Sequence, residues 1–366
     1  MDIKYLLKTM IDQGASDLHL RFGSAPLYRI NGRLLKARMD SLNANDMEEV
    51  LGDLLNKRQR EKFEDNEDFD FGIGFPGVGR FRVNIFRQRG TVAFAIRAIK
   101  TEVPVFVELN LPEVVLDIAN KNRGLILVTG TTGSGKSTLL ASMIDYINEN
   151  KAVNILTIED PIEFLYKNKK SAIAQREIGS DSFSFTQALR ATFRQDPDAI
   201  LIGEIRDVET METALSASDT GHLVMSTLHT MNAVETITRI ISFFPPHQHE
   251  QVRLILSNVL VAIISLRLIP KADGSGRVPA TEVLINNATI KEYIADPEKA
   301  YLISEAIADG FSQYGSQTFD QSLFQLYKSE QITFQTAMQY ASNPDDFELK
   351  VAHGVGGTSD RTFGDM

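Results

Sequence analysis

An α/β chain is predicted: a mostly parallel sheet forming the body, preceded by an α+β N-terminal third. Three observations predict it in this sequence of 366 residues. From about residue 111, apolar runs alternate with segments of helical period, the pattern of βαβ units. Those runs are continuous rather than alternating in polarity, as in parallel strands covered on both faces. Before residue 100 the apolar runs are short, alternating and joined by turn residues, which reads as hairpins. At roughly 150 residues per domain, two domains are expected.

The N-terminal elements follow in order. Residues 2–12 read as a short helix. Asp17–Arg21, Leu27–Ile30 and Arg33–Leu35 read as strands, the last two separated by Asn31-Gly32, a strong hairpin signal. Residues 44–65 read as helical, and 68–98 return to strands. This last stretch is chemically lopsided. Between Phe71 and Thr101 there is no acid, but there are Arg80, Arg82, Arg87, Arg89, Arg97 and Lys100; the segment before it carries Glu61, Glu64, Asp65, Glu67, Asp68 and Asp70. Gly79–Ile85 alternates strictly, with Arg80, Arg82 and Asn84 on one face and Phe81, Val83 and Ile85 on the other. On spacing alone, a half-buried strand with a solvated basic face accounts for it. Residues 99–112, with Pro104 and Pro112, read as a linker.

In the body, Gly124–Val128, Asn154–Ile158, Ala199–Ile202 and His222–Ser226 read as buried strands. Segments near 136–149, 184–195, 208–219 and 232–243 read as helices. Residues 247–268 and 302–342 read as a helical appendage, and the apolar stretch Val259–Leu266 as a buried helix, too short to span a bilayer. The polar, glycine-rich end from His353 reads as a mobile tail. The domain boundaries expected are 1–98, the linker 99–112, 113–345 and the tail 346–366.

Composition narrows the function. Hydrophobic residues make up 43% and charged residues 23%, which excludes disordered and fibrous classes. The net charge is −10, which argues against a protein that grips phosphate backbones, so no nucleic-acid partner is expected. Cysteine is absent, which excludes disulfides and thiolate zinc sites. No export signal or spanning segment is visible, so a cytoplasmic protein is expected.

One motif carries chemistry. Gly130-Thr131-Thr132-Gly133-Ser134-Gly135-Lys136-Ser137-Thr138 matches G-x-x-x-x-G-K-[ST]. Its glycines let backbone N–H groups wrap a phosphate chain, Lys136 reaches the terminal phosphates, and the Ser137 hydroxyl suits Mg²⁺. A strand is predicted before it and a helix after it, as the motif requires. Glu204 ends an apolar run where a metal-side carboxylate would sit. Glu159, Asp160 and Glu163 end another, and spacing does not choose among them as the group that positions water. His222 and His229 bracket a strand, with hydrogen bonding to phosphate or to a neighbouring subunit as their expected use.

Taken together, the sequence resembles the secretion-type hexameric ATPases, and within them the type IV pilus retraction ATPases PilT and PilU. The resemblance covers about residues 1–345. Ala15–Leu20 resembles the opening of the family's PAS-like domain, Gly130–Thr138 its Walker A loop and Ile155–Phe164 its aspartate box. Asp196–Asp207 resembles its atypical Walker B segment and Thr220–Thr230 its histidine box. The resemblance implies a RecA-like core that binds ATP and Mg²⁺ in a homohexamer. It implies Glu163 as the water-activating glutamate, Glu204 as a metal-side group through water, His229 as a γ-phosphate sensor and His222 as a subunit contact. It also implies that Arg82 and Arg97, with Arg80 close by, reach the nucleotide of a neighbouring subunit. The implied partners are an inner-membrane platform protein of the PilC kind and a PilT paralogue, with the ring at the cytoplasmic face of the inner membrane.

Two departures bear on the branch. Extension and type II secretion ATPases carry longer N-terminal regions and usually a four-cysteine zinc motif, both missing here. PilT proteins carry Ala-Ile-Arg-Asn-Leu-Ile-Arg-Glu after the core; the aligned stretch is Thr289–Asp296, with Lys291 and Ala295 at the arginine positions. That looks more like PilU. The alternatives are an accessory, PilT-dependent hexamer of weak turnover, an extension or type II secretion ATPase, and a RecA-like nucleic-acid translocase. The net charge and the lack of an aromatic-basic strand-binding stretch oppose the last.

Overall fold

The computed structural model describes residues 1–30, 32–65, 68–99 and 102–352. Asn31 of the expected turn, Glu67 of the acidic segment, Lys100 of the basic stretch and residues 353–366 of the expected tail lie outside the described residues. The chain forms two compact units. The first comprises Met1–Glu102, Asp160–Tyr166 and Arg176–Phe183; the second comprises Val103–Glu159, Lys167–Gln175 and the chain from Ser184 onward.

The first unit begins with α1 (Ile3–Asp12), capped by the Asp2 side chain. β1 (Asp17–Arg21), β2 (Leu27–Ile30) and β3 (Arg33–Lys36) follow, then α2 (Ala44–Leu54) and α3 (Lys57–Asp65). The helical reading of 44–65 is corrected to two helices. Asn56 breaks it by accepting from the Gln59 N–H at 2.9 Å while its own N–H donates to Gln59 Oε1 at 3.0 Å, which starts a second helix. β4 (Asp68–Phe75), β5 (Gly79–Gln88) and β6 (Thr91–Ala98) complete an antiparallel sheet ordered β3-β2-β1-β6-β5-β4. Alternation puts Phe81, Val83 and Ile85 of β5 in the core with Leu6, Leu7 and Met10 of α1 and Val50 of α2.

In the second unit, Phe106 is buried within a single 3₁₀ turn, and Pro104 O accepts from Ser142 Oγ at 2.8 Å. Residues 103–112 of the expected linker therefore pack as part of this unit. Then come α4 (Val114–Ala119), β7 (Gly124–Thr129), α5 (Lys136–Asn150), β8 (Asn154–Glu159), β9 (Ala172–Glu177), α6 (Phe185–Thr192) and β10 (Ala199–Ile202). α7 (Val208–Asp219), β11 (Leu223–Leu228), α8 (Ala233–Ser242), α9 (His249–Val259), β12 (Leu260–Pro270) and β13 (Arg277–Ile285) follow. The sheet order is β13-β12-β7-β11-β10-β8-β9. β12, β7, β11, β10 and β8 run parallel, and β13 returns antiparallel. Every residue of β7, β10 and β11 is buried, as their unbroken apolar runs require.

The reading of Val259–Leu266 as a buried helix is corrected: α9 ends at Val259 and residues 260–270 form β12. A short apolar run has no period that separates a buried strand from a buried helix. Pairing with β7 on one side and β13 on the other decides it. The C-terminal region is helical: α10 (Ala288–Ala295), α11 (Ile303–Asp309), α12 (Phe311–Tyr314), α13 (Phe319–Lys328), α14 (Phe334–Tyr340) and α15 (Pro344–Ala352). The tail expected from residue 346 is corrected for 346–352. Phe347 is 1% exposed in a cluster with Phe319, Leu323 and Ile269, which holds α15 in place. Among the described residues, no helix is long and apolar enough to cross a membrane.

Candidate nucleotide-binding site

The phosphate loop leaves β7 at Gly130. A Cβ there would lie 2.5 Å from Leu266 O and 2.6 Å from Ser134 Oγ, and φ is +139°, so only glycine fits. Gly135, at φ +100°, turns the chain into α5 without offering a side-chain cap. This sets α5 apart from α6, α7, α8, α10 and α13, whose first turns are capped by Ser184, Asp207, Asn232, Asn287 and Thr318. The first N–H groups of α5 are left for an anion, with the helix dipole behind them. Ser134 Oγ is buried with no hydrogen-bond partner. Lys136 is buried, and its Nζ donates to Gly130 O at 2.7 Å and Thr131 O at 3.1 Å, so the ammonium folds over the loop. A buried cation, an uncapped helix start and an orphaned hydroxyl fit a phosphate chain.

Beside the loop lies a cavity of about 340 Å³. Ser134, Thr138, Leu109, Leu268 and Arg277 are among its lining residues. Its size and mixed lining suit the nucleoside end of a nucleotide.

Glu204 and His229 follow the C-terminal ends of β10 and β11, where open parallel sheets place ligands. Glu204 is half-buried; its carboxylate lies 3.1 Å from His229 Nε2 and pairs with the Arg206 guanidinium at 2.8 Å. All three line one cavity of about 370 Å³. Glu159, at the end of β8, is buried and accepts from Thr157 Oγ1 at 2.6 Å and Gln175 Nε2 at 3.2 Å. The phosphate-binding use entertained for His222 is corrected. It precedes the opposite end of β11 from His229, where its Nδ1 faces Ala217 O at 3.0 Å and Thr220 Oγ1 at 3.2 Å and its ring meets Phe193 edge-on. Six strand residues at about 3.3 Å each separate the two histidines by roughly 20 Å.

In the first unit the three arginines are distinguished by their partners. Arg80 donates to Glu177 at 2.7 Å; Glu177 is 1% exposed and also accepts from the Gly72 N–H at 2.9 Å, the Ile162 N–H at 3.3 Å and Ser180 Oγ at 3.3 Å. A Cβ at Gly72 would sit 2.3 Å from the Glu177 carboxylate, so a side chain there would have to push that carboxylate from its place. Arg82 instead forms a half-exposed bidentate pair with Asp70. That hydrogen bonding outweighs burial and, with Asp160 and Glu163 in electrostatic reach, holds the guanidinium pKa above its ordinary value. Arg97 is 69% exposed and donates to Asp17 at 2.8 Å. Burial pushes the Asp17 carboxyl up, but hydrogen bonds from Ser16 and Arg97 outweigh it and leave the pKa lowered. Glu163 is exposed, in the Asp160–Tyr166 segment, which belongs to this unit.

Sequence reasoning missed the Arg206–Glu204 pair and the buried Glu282 of β13. The lone acid in the apolar run Val278–Ile285 was the available signal for the latter.

Sheet order, phosphate loop and the paired Glu204 and His229 define a P-loop nucleotide-binding protein of the α/β class. Comparison with known proteins narrows this. Residues 86–313 match the family described as type II/IV secretion system protein. The type IV pilus ATPase PilU of Pseudomonas aeruginosa is 40% identical over 354 residues, covering 97% of this chain and 92% of that protein. The type IV pilus retraction ATPase PilT of the same organism is 43% identical over 347 residues, covering 95% and 100%. A crystal structure of the pilus retraction motor PilT with bound ADP superposes with a TM-score of 0.87 at 47% identity, covering 95% of this chain and 99% of that one. The chain belongs to the type II/IV secretion system protein family, in the PilT/PilU group of type IV pilus ATPases.

Proposed function

We propose that this protein is a P-loop ATP hydrolase that drives or assists type IV pilus retraction, and with it twitching motility, as a homohexamer. The observation that carries the reading is the uncapped, glycine-turned phosphate loop in a chain that aligns with PilT and PilU along nearly its whole length. ATP binds with its phosphates in Gly130–Thr138 and its nucleoside end in the cavity beside α5. Lys136 reaches the β- and γ-phosphates. Glu163 orients the attacking water for in-line displacement. His229, held by Glu204, is placed to register the γ-phosphate.

Among the described residues no cluster of three or more His, Asp or Glu could hold a metal by itself. Mg²⁺ usually keeps several waters and is bound through few protein groups together with substrate phosphates. Ser137 would hold it directly and Glu204 through water. When bound, it neutralises charge on the β- and γ-phosphates.

Arg82 and Arg97 are the arginines available to a neighbouring subunit's nucleotide. The Arg82–Asp70 pair is exposed on both sides and exchanges at a cost of about 0–1 kcal/mol. The Arg97 guanidinium is exposed, while its partner Asp17 is buried and also lies 3.5 Å from Arg29. Arg80 is committed to its own chain through Glu177, and His222 serves a subunit contact. The remaining partners are a PilC-like platform protein at the cytoplasmic face of the inner membrane and a PilT paralogue.

An accessory role beside PilT is the second reading, favoured by Lys291 and Ala295. These positions lie four apart on α10 while Ile290 and Ile294 face the core, so the departure from the PilT motif alters the helix's outer face and spares the packing. Lys136→Ala tests both readings. Purified protein should lose ATP turnover, and cells carrying only this change should accumulate surface pili when PilT is present. Normal turnover would overturn the site assignment. Lost turnover with normal piliation would move the protein to the accessory role, and loss of pili would move it to the extension branch.

A further inference from the structure

A polar row crosses the apolar sheet behind the phosphate loop. Leu228 of β11 stands opposite Thr129 of β7, Thr129 opposite Ser265 of β12, and Ser265 opposite Glu282 of β13. Directly paired residues project on one face of a sheet, so the last three side chains meet. All three are buried. Thr129 Oγ1 donates to Ser265 Oγ at 2.9 Å, Ser265 pairs directly with Glu282 across β12 and β13 and favours its charged form, and Glu282 Oε1 accepts the Ala233 N–H at 2.7 Å.

The row ends on two parts of the nucleotide site. Thr129 immediately precedes Gly130, the first residue of the phosphate loop. Ala233 opens α8, directly after the segment 229–232 that begins with His229. Thr129 donates along the row toward the carboxylate end, and the Ala233 N–H donates to the carboxylate from the other side. Burial opposes the charge and pushes the Glu282 pKa up, and Asp320 adds to this. The Ala233 N–H, Arg267 and Ser265 pull the other way, and the N-terminus of α8 favours an anion. A carboxylate here costs stability relative to an apolar side chain of similar volume. What it adds is attachment.

Building on the ATPase reading, we infer that Glu282 is a positioning residue for ATP turnover, holding the root of the phosphate loop, through Ser265 and Thr129, in fixed register with the His229 segment, through the Ala233 N–H. The phosphate-binding loop and the γ-phosphate sensor are then parts of one hydrogen-bonded frame.

The test compares Glu282→Met, Glu282→Gln and Ser265→Ala in the full chain. Met fills the volume without an acceptor, whereas Gln restores the acceptor without the charge. For Met, kcat should fall about tenfold with KM for ATP within about twofold, and Gln should recover most of the loss. Ser265→Ala should lower kcat about threefold, and it keeps the idea testable if the Met variant does not fold. Amide exchange of the peptide spanning 229–233, measured without nucleotide, should quicken about tenfold in Met and not in Gln. A folded Met variant with wild-type kcat, or one whose peptides all exchange faster together, overturns the inference. Absence of turnover in the wild-type chain would defeat the ATPase reading instead, while the exchange at 229–233 still judges what Glu282 holds.

Discussion

Removing the Glu177 carboxylate should open the first unit and leave the second intact. Glu177 is 1% exposed and accepts from Arg80, Gly72 N–H, Ile162 N–H and Ser180. Glu177→Ala strands a largely buried guanidinium, whose Nε already has no partner, together with two backbone donors. Breaking one side of a buried ion pair costs about 3–5 kcal/mol. The orphaned N–H groups are part of the same rearrangement, so their about 1–3 kcal/mol each is not simply added. At about 1.4 kcal/mol per tenfold, amides of β4 and β5 should exchange on the order of 10²–10³ times faster. Amides of β7 and β11 provide the internal control and should not change. The Ile162 N–H bond places the Asp160–Tyr166 segment, and so Glu163, under the same anchor; turnover should fall with the protection. Gly72→Ala should reproduce the effect from the other side, because its Cβ would collide with the carboxylate at 2.3 Å. Hydrogen exchange read by mass spectrometry decides the matter. A change below about tenfold in β4 and β5, or an equal change in both units, would show that Glu177 does not anchor the first unit.

Two further outcomes are expected. Arg82→Ala should leave ADP affinity of isolated subunits within about twofold while slowing turnover of the assembled ring about 10²-fold or more, as for an arginine acting in trans; unchanged ring turnover would end that assignment. Tyr28 is buried, donates to Leu6 O at 3.1 Å, and has its pKa pushed up to about 12, chiefly by burial. Its folded pKa lies above the unfolded value of 10.0. Its contribution to stability is therefore complete below the unfolded value and lost as pH rises through the folded one. The ultraviolet difference between wild type and Tyr28→Phe should titrate with a midpoint near 12, and a midpoint near 10 would show the hydroxyl to be solvated.

Features that depend on neighbours along the chain are legible in the sequence. Gly130–Thr138 is read directly, because a phosphate loop is a local backbone conformation with residues at fixed offsets. β7, β8, β10 and β11 are read from unbroken apolar runs, and α5 and α7 from helical period between them. Glu204 and His229 are legible because they follow such runs. Tertiary structure decided what depends on partners far along the chain. Residues 260–270 carry no period that distinguishes strand from helix, and pairing with β7 and β13 makes them β12. The three arginines of β5 and β6 look alike in sequence. Arg80 is set apart by Glu177, 97 residues away, while Arg82 keeps the half-exposed Asp70 and the exposed Arg97 pairs with the buried Asp17. Glu282 looks like an ordinary acid until β13 lies beside β12 and the row from Thr129 to Ala233 closes. Arg80 and Glu282 are largely buried polar groups that take their roles from partners that relieve their desolvation, and only the folded chain supplies those partners.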